Sequence, residues 1–116
     1  MIVHVSANVE QLTTSQLRRI YSKRKLRWDN DLPIVVFVLP NQHPLHQKFS
    51  LDILHIFPYQ LDRIWNKLTY SGIGTAPIVV PTPKELLNAV AHTPGAIGYV
   101  DDVDQNAAIN IINISK

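Results

Sequence analysis

The chain has 116 residues, 46% of them hydrophobic and 17% charged, with no cysteine and a formal charge of +2. These values exclude a disordered tail, a disulfide-stapled miniprotein and a thiolate metal site; a chain of this length forms one domain, residues 1–116, that buries roughly 65% of its unfolded surface. No apolar run approaches the ~18 residues of a membrane span, and the opening MIVHVSANVE lacks the basic start and apolar stretch of a signal peptide.

Ile2 to Ser6 alternate as in a strand, with Val3 and Val5 opposite His4. Thr13 as N-cap places Gln16 at N3 of a capping box and pairs Leu12 with Leu17 as a hydrophobic staple. Leu17, Ile20 and Tyr21 then form the buried stripe of a short helix. Six of the eleven Lys and Arg fall between Arg18 and Arg27, and with Trp28-Asp29-Asn30-Asp31 they read as a loop. Ile34 to Leu39 is a continuous apolar run, the mark of a buried central strand.

Pro40 ends that strand, and a helix starts near Asn41 to Pro44 with Leu45, Phe49 and Ile53 on one face. Pro58 sits in the first turn of another helix, whose Leu61, Ile64, Trp65 and Leu68 follow helical spacing. Ser71-Gly72-Ile73-Gly74-Thr75 stops it. Its order, helix before loop and strand after, is the reverse of a phosphate cradle, so Gly72 reads as a helix terminator. Ile78 to Val80 is a short strand, and Thr82-Pro83-Lys84-Glu85 opens a helix with Leu86, Leu87 and Val90 inward. Thr93-Pro94-Gly95 ends it. Ala96 to Val100 is a strand, Asp101 to Asn106 a turn, and Ala108 to Ile114 a final strand. Asp101-Asp102-Val103-Asp104 lacks the glycine and downstream glutamate of a calcium loop and reads as a solvated turn.

The order β-α-β-α-α-β-α-β-β predicts an α/β fold with a mostly parallel, about five-stranded sheet and helices on both faces. Catalytic signals are absent: there is no nucleophile turn and no acid pair in an apolar context, and Asp52 and Asp62 have ordinary helical spacing. No cofactor is expected. His43 and His46 are spaced i, i+3 at the strand-to-helix turn and leave three readings open. As metal ligands they lack a neighbouring carboxylate or thiolate to complete a shell. As an anion site they join the helix start and Lys48, more strongly below pH ~6.5, where imidazoles charge. In the third reading Asn41 caps the helix and both histidines are exposed; the residues by themselves favour it. The basic run Arg18 to Arg27 reads as a solvated face, with Trp28 a lid over the sheet edge; no aromatic interleaving points to nucleic acid.

Two segments carry a family resemblance. Leu17-Arg18-Arg19-Ile20-Tyr21-Ser22-Lys23 followed by Trp28 is similar to the L-x-x-I-F-x-G-K … W segment of phosphate-binding proteins of bacterial ABC transporters. Thr93-Pro94-Gly95-Ala96-Ile97-Gly98-Tyr99-Val100 resembles their T-P-G-A-I-G-Y-V segment almost letter for letter. The likeness spans about residues 5 to 100.

That family has two α/β lobes that close on phosphate, and the resemblance is to the second lobe, as a single-lobe member of a periplasmic-binding-protein-like fold. It implies a solute-binding, non-enzymatic, periplasmic role, with an export signal ahead of Ile2. The matching family turn carries Ser-Gly-Thr at a helix N-terminus; here Asn41-Gln42-His43-Pro44 replaces the glycine and both hydroxyls, and Pro44 removes an N–H. The implied ligand is a small anion such as phosphate, held weakly by Asn41, Gln42, His43 and His46, with another copy of the chain or an envelope protein as second wall. The alternative is an envelope interaction module that has lost ligand binding.

Overall fold

The computed structural model describes residues 1–72, 76–101 and 108–115. Strand β1 (Ile2–His4) stops short of Ser6, because His4 Nδ1 accepts from Ser6 N at 3.1 Å and caps a 3-10 turn over Val5–Ala7. Strand β2 (Gln11–Thr13) leads into helix α1 (Thr14–Tyr21). The capping box is present: Thr13 Oγ1 accepts from Gln16 N at 3.0 Å, and Gln16 Oε1 accepts from Thr13 N at 2.8 Å. Leu17, Ile20 and Tyr21 are fully buried.

Helix α1 ends in a Schellman arrangement. Lys23 N donates to Ile20 O at 3.1 Å and Arg24 N to Arg19 O at 2.9 Å, with Lys23 in the left-handed region at φ 64°. The basic loop then folds on itself, Lys25 pairing with Asp29 at 3.1 Å. Trp28 is 3% exposed, and its Nε1 donates to Gly95 O just ahead of the strand Ala96–Gly98.

Strand β3 (Val35–Val38) is followed by the one-turn helix α2 (Pro44–Lys48), which runs directly into a π-helical stretch, Phe49–Leu54, ended by His55 at φ 56°. Helix α3 (Pro58–Ser71) stops at Gly72, φ 70°, as its sequence predicts. Strand β4 (Ile78–Val79) precedes α4 (Pro83–His92), where Thr82 Oγ1 accepts from Glu85 N at 3.2 Å and Pro83 occupies the first helical position. Strands β5 (Ala96–Gly98), β6 (Ile109–Ile111) and β7 (Asn113–Ser115) complete the order. Residues 73–75 of the glycine loop and 102–107 of the acidic turn lie outside the described residues.

The main sheet has the order β4-β3-β5-β1-β6. Strands β4, β3 and β5 are parallel; β1 pairs antiparallel with both β5 and β6. The sheet is therefore mixed, with four strands running one way and β1 running against them. The expected final strand is split at Ile112. Burial falls on Ile109 and Ile112, a step of three that a two-residue alternation cannot provide, so the chain bends there. Before the bend Ile111 faces Ile2 in register; at it Ile112 N donates to Met1 O at 3.1 Å; after it β7 pairs in parallel with β2 in a separate two-stranded sheet.

Helices cover both faces, and β5 shows how. Gly98 lies against Leu86 and Val90 of α4 on one side. Its neighbour Tyr99 points to the other side, where its ring stacks on Phe49 at 4.0 Å and 9° and meets Tyr21 at 6.4 Å. Behind them α3 is tied in by Trp65 Nε1, which donates to Tyr21 O at 2.8 Å.

Candidate ligand site at the turn after β3

Strand β3 runs on through buried Leu39 to Pro40, whose missing N–H ends the ladder. His43 N donates to Pro40 O at 2.9 Å and closes the turn over Asn41-Gln42. His43 is extended (φ −69°, ψ 130°), and its Nδ1 accepts from Leu45 N at 3.1 Å. The helix cap is thus His43, not Asn41. Pro44 at the first helical position was the available sequence signal, because proline there marks the preceding residue as the cap. Gln47 N donates to His43 O at 3.1 Å, so the start of α2 already satisfies much of its own hydrogen-bonding capacity.

The four candidate residues part company here. Asn41 is exposed and reaches across to α3, its Nδ2 donating to Asp62 Oδ1 at 2.9 Å; Asn66 Nδ2 donates to Asp62 Oδ2 at 3.4 Å. Gln42 is exposed and His43 half-buried. His46, which exposed-histidine reasoning put at the surface, is fully buried. The reason is helical phase: His46 shares an inward face with Phe49 and Ser50, against Tyr99 and Trp65.

His46 Nδ1 lies 2.5 Å from Tyr99 Oη, and Leu39 N donates to that same oxygen at 2.9 Å. Burial lowers the His46 pKa below the usual imidazole value; the Asp62 carboxylate opposes this, and His43 adds to it. Burial likewise raises the Tyr99 phenol above its ordinary value, partly offset by the Leu39 N–H. Asp62 and Tyr99 both belong to the site's surroundings. Tyr99 was flagged in the sequence by the TPGAIGYV segment, whereas Asp62 carried no signal because its contact joins α3 to Asn41 in a turn 21 residues earlier.

Chemically, the turn presents a neutral buried imidazole, an exposed amide at Gln42, and a carboxylate held beside Asn41. Among the described residues no group of three or more His, Asp or Glu is placed to hold a metal ion. A cleft of about 290 Å³ lies elsewhere, between Gln11, Arg19, Lys25 and Trp28.

No family model matches the sequence, and neither does any curated protein. Among solved structures, the fold is similar to a Clostridium perfringens protein described as a phosphate ABC transporter substrate-binding protein, crystallised with phosphate bound. The TM-score is 0.73 over 97% of this chain and 43% of the other, at 19% identity. This is one lobe of a periplasmic-binding-protein-like fold. At that identity the likeness concerns the fold, and the lobe spans less than half the length of the protein it matches. Among the described residues, no helix is long and apolar enough to cross a membrane.

Proposed function

We propose that this chain is a non-catalytic, solute-binding-protein-like lobe that works in the periplasm and contacts a small oxyanion such as phosphate weakly, through Asn41, Gln42 and His43, while His46, expected among the contacts, is buried behind the turn. The observation that carries the reading is the fold likeness to a protein crystallised with phosphate. Its support in the chain is position: the turn lies just past the carboxyl end of β3, where α/β sheets hold ligands. Weakness follows from geometry, since one lobe encloses only part of a ligand, whereas well-held small molecules bury ~70–90% of their surface. The opposing wall would come from another copy or an envelope protein.

A specific observation favours a second reading, an interaction module without a ligand. The Asp62 carboxylate held by Asn41 opposes an incoming anion, and His43 spends its Nδ1 on the cap. Titration of the 15N-labelled chain with phosphate at constant ionic strength separates the two. Saturable shifts at Asn41, Gln42, His43 and His46 with a Kd of about 1 mM are expected for the first. Shifts spread evenly over Arg18 to Arg27, or none at the turn, leave the interaction module.

A further inference from the structure

His46 is an unusual occupant of a core. It is fully buried, and its Nε2 has no hydrogen-bond partner among the described residues. Its Nδ1 is engaged by Tyr99 Oη, which also receives Leu39 N–H, so α2 is joined to β3 and β5 through one polar junction. The same stretch is also held by Phe49 on Tyr99 and Tyr21, by buried Leu54, and at its two ends by Asn41 on Asp62 and by Arg18 Nε, which donates to Leu54 O at 2.6 Å. The stretch is π-helical from Phe49 to Leu54, a winding that is rare and is frequently found at functional sites. Pro40 bounds it on one side and left-handed His55 on the other.

We propose that His46 is an acid-operated latch: neutral, it holds Asn41 to His55 against the sheet through Tyr99, and protonated, it releases that segment while the sheet stays folded. The neutral ring meets Tyr99 through Nδ1, as acceptor or donor according to the tautomer, and leaves Nε2 unpartnered without burying a charge. Protonation fills both nitrogens, obliging Nδ1–H to donate to Tyr99 Oη and leaving a buried Nε2–H without an acceptor. The titratable or charged groups facing the ring are Asp62 from α3, His43 from the cap and the neutral Tyr99 phenol from β5. Asp62 alone attracts the added proton, and its two oxygens already accept from Asn41 and Asn66. The latch operates whether or not the turn holds an anion.

Amide hydrogen exchange of the full chain between pH 7.5 and 5.5, without phosphate and corrected for intrinsic rates, tests it. Protection at Phe49, Ser50 and Leu54 falls by up to about tenfold per pH unit below ~6.5, while that at Val3 and Ile97 is unchanged. In His46→Gln, which cannot charge, the segment's protection is independent of pH. An equal acid response in His46→Gln, or equal loss in the segment and the sheet, overturns the latch. Should His46→Gln fail to fold, imidazole 15N shifts of the wild-type chain decide: the 41–55 amides move together with the protonation of His46. Amides that stay fixed while His46 protonates overturn it.

Discussion

Trp28 Nε1 donates to the Gly95 carbonyl at 2.9 Å, joining the basic loop to the start of β5 across 67 residues of sequence. Gly95 is a junction: the same carbonyl accepts from Val35 N at 3.1 Å, and its own N–H donates to Ser6 Oγ at 2.9 Å. Its φ is 79°, and a Cβ there would strike the Pro33 carbonyl oxygen. Gly95→Ala is therefore expected to cost about 2–4 kcal/mol, from left-handed strain and collision together. Trp28→Phe should cost only about 1–2 kcal/mol, because Val35 still satisfies the carbonyl. Urea unfolding of both variants checks the ranking.

Gly98 makes the sheet's close contact with α4. A Cβ would collide with Leu86 Cδ2 and come within 3.0 Å of Val90 Cγ2. Gly98→Ala is expected to destabilise by about 1–3 kcal/mol through overpacking. Leu86→Ala leaves a cavity costing about 2–5 kcal/mol, into which the new methyl fits. The double variant should therefore lose at least about 1 kcal/mol less than the sum of the singles.

Tyr21 at the end of α1 and Lys23 just beyond it depart from the similar L-x-x-I-F-x-G-K segment, and both departures carry a visible penalty. Tyr21 stands at the phenylalanine position with a buried hydroxyl that has no partner among the described residues. Lys23 stands at the glycine position, left-handed at the end of α1, and burial lowers its ammonium pKa. Tyr21→Phe should stabilise by about 1 kcal/mol and Lys23→Gly by about 0.5–1 kcal/mol. Thermal melts of the singles and the pair measure both; a loss of stability in either contradicts the reading.

Alkaline pH should act through Tyr21 and Tyr99. Burial raises both phenols above the ordinary value near 10, with Tyr99 adding to the shift at Tyr21. The folded chain holds more protons than the unfolded chain above that value, so stability is complete below pH ~10 and falls as pH rises further. The slope is up to about 1.4 kcal/mol per pH unit for each tyrosine. Denaturation series from pH 8 to 11.5 should show it, with a shallower fall in Tyr21→Phe.

Local chemistry was legible and long-range pairing was not. The Thr13–Gln16 box, the Thr82-Pro83 start and the glycine stop at Gly72 each depend on residues within one turn, and each stands in the structure. Strand β2 is three residues long and exists through its pairing with β7, which no alternation announces. The reversal of β1 between β5 and β6 is likewise a property of partners about a hundred residues away. At the candidate turn, the positions of Asn41 to His46 were readable, but the burial of His46 was not. Helical phase assigns it an inward face only once Tyr99 and Trp65 are known to lie across from it.

The bond from Ile112 N to the carbonyl of Met1 fastens the hinge between β6 and β7 to the head of β1, so a strain that parts these two residues loosens both sheets at once.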